Sequence, residues 1–215
     1  MEYFDTSKSL LENLYYLSGI LVLVTIVIGL FQLSIAKKTL KTNSQREAAS
    51  LAVKQINIYV TQIIPLQNKL NDVQKEKKIS SIKIKIGEFT SEYLLQKIGE
   101  EEFYKGINER KQVIEEVLDV LNLMEAFSVY FIKEVADEEI AYSSIGATFV
   151  HSVENLYFDL SMLNVNKGES FQNLIKLYEL WSEKKELNNL QKAKNIITNQ
   201  IEKIKPTKIK PLGTK

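Results

Sequence analysis

A 215-residue chain without cysteine has no disulfide framework, no thiolate nucleophile and no cysteine metal site. Its 28 Lys and Arg against 27 Asp and Glu leave a net charge of +1, which does not advertise a nucleic acid or another strongly charged partner. Only 8 glycines and 3 prolines punctuate it, so the abundant Leu, Ile, Lys, Glu, Asn and Gln favour long helices over a multistranded fold, at a length that suits one membrane span and one soluble domain.

The first twelve residues, MEYFDTSKSLLE, carry Glu2, Asp5 and Glu12 against Lys8, where a secretory signal would be basic. An uncharged run follows over residues 13–36. Its core, Leu17 to Ala36 (LSGILVLVTIVIGLFQLSIA), is twenty residues, and at ~1.5 Å per helical residue it reaches across roughly 30 Å of bilayer hydrocarbon. No small-residue cleavage site follows, so the run reads as an uncleaved anchor. Lys37, Lys38, Lys41, Arg46 and Lys54 against Glu47 make the following side the basic one. This predicts residues 1–12 outside and the remainder in the cytoplasm of a bacterium, at the inner membrane, with Tyr15 and Tyr16 at the outer boundary.

Polar and small residues in the span fall on one stripe. Ser18, Thr25 and Gln32 recur every seven residues, with Gly29 and Ala36 on the same side. Small and hydroxyl side chains permit close helix packing, and Gln32 in lipid needs a hydrogen-bonding partner, so the stripe predicts self-association. A packed oligomer seam, a pore lining shared by several copies and an anchor with an unremarkable face all remain open, because one helix per chain cannot enclose a channel alone.

Helical sequence continues over 37–70, with Leu40, Ala48, Leu51, Ile56, Tyr59, Ile63, Leu66 and Leu70 on much of one side and no breaker before Pro65, which should kink the helix or mark its last turns. The polar NDVQKEKKISS then reads as a turn opening a helical cytoplasmic domain over 71–204. Ile82, Ile84 and Ile86 alternate with Lys83 and Lys85 as in a strand, yet Ile79, Ile82, Ile86, Phe89 and Tyr93 keep helical spacing; helix is favoured because no partner strand appears elsewhere. Gly99 and Gly106 bracket EEEFYK as a break or short loop. Two strong helices are expected from Ile107 to Val135 and from an Asp137 N-cap to the break NVNKG, and a last one from about Ser170 through Trp181, Leu190, Ile197, Ile201 and Ile204. The tail over 205–215 is basic and reads as flexible.

No set of residues has the types and spacing that catalysis needs, so the expectation is a protein that is not an enzyme and carries no cofactor or metal. His151 is the only histidine and reads as structural. The acidic groups at Glu100 to Glu102, Glu115 with Glu116, and Asp137 to Glu139 read as solvated faces and helix caps. Glu125 interrupts the apolar VLNLMEAFSVYF and reads as a partly buried structural pin. Lys83, Lys85, Arg110 and Lys111 are candidate phosphate partners, and Tyr93, Phe103 and Tyr104 could stack bases.

The short tail, single span, basic helix AKKTLKTNSQREAASLAVKQ, then VLDVLNLMEAFSVYFIKEVADEEIAYSSIGATFVHSVENLYFDL and LIKLYELW, resemble a family of bacterial single-pass proteins labelled phage abortive infection proteins. The matching positions are Leu121, Asn122 and Glu125, then Asp137, Glu138 and Glu139, then Trp181. The layout also resembles the membrane effector of the Hailong antiphage system, an oligomeric ion channel held shut by a single-stranded DNA oligomer made by a partner nucleotidyltransferase. That resemblance implies that Ser18, Thr25, Gly29 and Gln32 face a pore and that the cytoplasmic bodies bind the inhibitor.

The expected architecture is thus all-α, one N-terminal transmembrane helix continuing into a cytoplasmic helical bundle. Its expected partners are the lipid bilayer, further copies of itself (four or more for a channel) and a nucleic-acid or nucleotide ligand made by a partner enzyme, with no small-molecule substrate. A membrane-anchored adaptor recruiting a cytoplasmic partner without conduction is the rival reading.

Overall fold

The computed structural model describes residues 2–80, 82, 84–164 and 170–203, and among these there is no strand: the fold is all-α. Helix α1 runs from Glu2 to Ile58, a π turn occupies Tyr59–Ile63, and α2 covers Ile64–Glu76. Then come α3 (Ser91–Ile98), α4 (Glu100–Arg110), a 3-10 turn at Lys111–Val113, α5 (Ile114–Ile132), α6 (Glu138–Asn155), α7 (Tyr157–Leu163) and α8 (Gln172–Lys203). By internal contacts the chain divides into two units, Met1–Ala48 and Ala49–Lys215.

The first unit is helix without a core. From Leu14 to Ile35 its large apolar side chains are 48–77% exposed, far more contiguous apolar surface than a protein leaves in water. α1 is long and apolar enough to cross a membrane.

The second unit is built on an aromatic cluster. Trp181 of α8 is fully buried, with ring centroids of Phe149 (α6) at 4.9 Å, Tyr142 (α6) at 5.8 Å, Phe131 (α5) at 5.9 Å and Phe127 (α5) at 6.2 Å. Most pairs are tilted or edge-on, the arrangement in which the ring quadrupoles attract. The indole Nε1–H donates to Glu138 Oε1 at 2.5 Å, and Lys184 pairs with the same carboxylate, so the first turns of α6 and the middle of α8 are tied by a satisfied polar contact at the edge of the cluster.

The effect of Pro65 lies one turn ahead of it. A proline has no N–H to offer the carbonyl four residues back, and the chain widens there: Ile64 N–H donates to Tyr59 O, five residues back, closing the π turn, and Pro65 follows it in the first turn of α2. The turn places Tyr59 and Ile63 in the core, and Tyr59 Oη donates to Ser152 Oγ at 3.0 Å. Of the side expected over 37–70, Tyr59, Ile63 and Leu70 are buried, whereas Leu40 is exposed.

Four expectations are corrected. NDVQKE belongs to α2, and the turn is confined to Lys77 and Lys78, the latter left-handed at φ 54°. The described residues between Ile79 and Thr90 are neither helix nor strand. Their backbone is held by side chains from elsewhere: Glu109 accepts from Ser80 N, Tyr157 Oη accepts from Gly87 N and donates to Glu88 O, and Asn164 Nδ2 donates to Phe89 O at 2.7 Å. Helix starts only at Ser91, because Thr90 is extended and its hydroxyl caps Tyr93 N. EEEFYK is helical within α4. Gly99, at φ 81°, is the true break, whereas Gly106 is a packing glycine whose Cβ would sit 2.5 Å from the Phe158 ring. Finally, the helix expected from Ile107 to Val135 is interrupted by the 3-10 turn before α5.

Asp137 caps α6 as expected, accepting from Ile140 N at 3.0 Å. Glu125 is a structural pin, and its partners are two backbone donors and one side-chain amide: it accepts from Asn173 N at 3.2 Å, Asn173 Nδ2 at 2.6 Å and Leu174 N at 2.7 Å, capping the first turn of α8 from α5. Glu125→Ala strands those donors and should lower unfolding free energy by about 2 kcal/mol. Denaturation of the detergent-solubilised chain followed by circular dichroism measures it, with Glu186→Ala, at an exposed position inside α8, as the control that leaves the midpoint unchanged.

Candidate functional site

In the first unit the stripe splits into satisfied and unsatisfied members. Ser18 Oγ donates to Tyr15 O at 2.7 Å and Thr25 Oγ1 to Val22 O at 2.8 Å, so both hydroxyls are internally bonded by the helix itself. Gly29 has open space where a Cβ would stand, which leaves the backbone approachable. Gln32 is exposed, and among the described residues no hydrogen bond engages its amide. It is the member of the stripe whose donors and acceptor need a partner from outside the helix.

In the second unit a cavity of about 580 Å³ opens beside the irregular segment, lined by Ile84, Lys85, Arg110, Glu154, Phe158 and Tyr178 among others. It brings together Lys85 and Arg110 of the candidate phosphate partners. Lys111 does not line it and lies 3.3 Å from Asn108 Oδ1, and Lys83 lies outside the described residues. Arg110 is committed internally: its Nε lies 2.8 Å from Asp159 Oδ1, both side chains are buried, Nη1 donates to Ser80 O at 3.3 Å, and the guanidinium covers the Phe158 ring at 5.5 Å. To bind a phosphate it would have to give up Asp159.

The Arg110–Asp159 contact is an ion pair without an aligned hydrogen bond, and Asp159 Oδ2 has no donor among the described residues. Burial pushes the Asp159 carboxyl up to about 6, and the neighbouring Arg110 charge only partly opposes it. Burial likewise pushes the Tyr178 phenol up to about 12, with Glu154 and Tyr157 adding to the rise. The cavity therefore offers no phenolate base at neutral pH; its accessible charges are Lys85 and Glu154. Lys185 Nζ and His151 Nδ1 approach Glu154 at 3.7 and 3.6 Å, and His151 is exposed.

The remaining candidates are scattered. Phe103 is buried and Tyr104 exposed, 5.5 Å apart by ring centroid, while the Tyr93 ring fills the space beside Gly87. Glu100 to Glu102, Glu115 with Glu116, and Glu138 with Glu139 all fall in the first turns of helices, where carboxylates complement the macrodipole. Among the described residues no group of three His, Asp or Glu side chains could hold a metal ion.

Sequence reading missed Asp159, Asn164 and the Tyr59–Ser152–Gln67 chain, in which Ser152 Oγ donates to Gln67 Oε1 at 2.9 Å. Asp159 carried the same signal as Glu125, a lone acid inside an apolar run, here LYFDLSML. Comparison with protein-family models, with curated proteins and with solved structures finds no match to this chain.

Because the folded-state carboxyl of Asp159 titrates near 6 rather than at the ordinary 3.8, its protonation favours the folded state; that stability is fully present below about 3.8 and is lost as pH rises through about 6. Arg110→Met removes the cation that offsets this cost. The variant should lose ~3–5 kcal/mol at pH 7.5 and clearly less at pH 5, where Asp159 is protonated. Chemical denaturation at the two pH values checks it.

Proposed function

We propose that this chain is an oligomeric membrane effector of bacterial antiphage defence, which crosses the inner membrane once through residues 13–36, assembles along the stripe Ser18, Thr25, Gly29 and Gln32, and conducts ions under control of its helical body. The observation that carries the reading is the bare apolar run of α1 with one polar side. A bilayer covers the apolar side chains. The hydroxyls of Ser18 and Thr25 need nothing further, since their own helix satisfies them, but an unpaired amide at Gln32 in lipid costs several kcal/mol. A second copy of Gln32, or water in a lumen shared by four or more copies, removes that cost, and Gly29 lets the backbones approach.

The excess of Lys and Arg just after the span supports an external amino end and a cytoplasmic body. Gating is assigned to the body, where a ligand or partner that prefers one packing of its helices would bias the span. The cavity beside Lys85 is the candidate place for a nucleotide or nucleic-acid ligand from a partner enzyme, with Lys85 rather than Arg110 as the available cation. No catalytic role and no cofactor enter this reading. The defence context rests on the resemblance to abortive infection proteins. The internal bonding of Ser18 and Thr25 also suits the rival reading, a non-conducting anchor for an adaptor, because neither hydroxyl requires water.

Gln32→Leu separates them. For an assembling channel it should reduce the oligomer seen in detergent and lower conductance in reconstituted bilayers by at least tenfold. Exchange of the whole span for an unrelated apolar helix should abolish function in a channel and spare it in an adaptor. Wild-type protein that stays monomeric and silent in every ligand state would sink the proposal.

A further inference from the structure

The carboxyl-terminal half of α8 carries a second seam. The helix packs on the body through Leu174, Leu177, Tyr178 and Trp181, and among the described residues its last hydrogen bond to the body is Asn188 Nδ2 to Tyr142 Oη at 3.2 Å. Beyond that point it continues as helix to Lys203 with its described side chains exposed. Its apolar residues there are mostly ordered: Leu187, Leu190, Ile197 and Ile201 are 55–63% exposed and follow the spacing three, seven and four, with Lys194 at the skipped position. In heptad terms these are successive a and d sites, with one lysine at an a site.

We infer that this segment pairs with the same segment of a second copy of the chain, as a short parallel coiled coil in register. Three features select that occupant. The stripe is the narrow a/d seam of a coiled coil, not the broad apolar face with flanking lysines that lies on a membrane, and Lys194 stands in its middle, where a single polar a residue sets register. The flanking e and g positions Gln191, Ala193, Thr198 and Gln200 are uncharged, and Glu186, the g position before Leu187, faces neutral Gln191 across a parallel pair, so the one like-charge contact between identical helices is Lys194 against Lys194, the cost at which a polar a site sets register. With roughly 100 Å² of bare side chain at each apolar position, plus the stem of Lys194, two copies would cover on the order of 1,000 Å², the lower end for a specific interface. The inference stands without the membrane reading; anchoring in one bilayer would add effective concentration.

The absence of cysteine makes the test direct. Single substitutions Leu190→Cys and Ile197→Cys at d sites, and Lys192→Cys and Asn199→Cys on the opposite side of the helix, are introduced in the full chain and oxidised in native membranes. The seam predicts disulfide-linked dimers at Leu190→Cys and Ile197→Cys at least tenfold above the other two. It also predicts that the same links persist when Gln32→Leu is added, which separates this contact from any made by the span. Equal yields at all four positions, no link at any, or loss of the links with Gln32→Leu would overturn it. So would a bimane label at Leu190→Cys that reports an apolar environment, brought by lipid vesicles alone, without crosslinking.

Discussion

The body depends on the burial of one tryptophan. Trp181 touches rings from both α5 and α6, and its only polar atom is answered by Glu138, so a large apolar surface leaves water without stranding a donor. The same carboxylate holds Lys184, and Glu125 of α5 closes the first turn of α8 ten residues earlier. The aromatic core and the two acidic ties determine where α8 can lie. The described side chains past Asn188 are exposed, which is why the seam there remains bare.

A different economy holds the segment between α2 and α3. Its isoleucines are half-buried against the core, yet its described backbone joins no helix or sheet. Peptide groups that no helix or sheet pairs still need partners, and here Glu109, Arg110, Tyr157 and Asn164 bond them from α4, α7 and the chain that follows α7. Arg110 reaches Ser80 only because Asp159 neutralises it in the interior. The buried ion pair thus serves the irregular segment, and the cavity opens beside it.

The two polar stripes of the chain obey different rules. Along α1 the hydroxyl residues are bonded by their own helix and one amide is left open; along α8 a lysine interrupts an apolar seam flanked, beyond Leu187, by neutral residues. Both are repeats at the heptad period. Lipid penalises an unpaired amide heavily, whereas water tolerates a lysine at a coiled-coil a site and uses it to select register.

Much of this was legible in the chain itself. The apolar run of α1, the Asp137 cap, the course of α8 and the role of Glu125 as a pin follow from period, capping chemistry and the cost of a lone acid, all of which act within a few residues along the sequence. The structure alone decided the rest. Ile82, Ile84 and Ile86 satisfied two periodicities at once, and the outcome was neither, because the donors and acceptors that hold that backbone come from α4, from α7 and from Asn164. Gly106 looked like a break and proved to be a contact with Phe158; Arg110 looked like a phosphate partner and proved to be the partner of Asp159. Local spacing states what a segment can form, but which polar groups are answered, and by whom, is settled by residues distant in sequence that meet only when the helices pack.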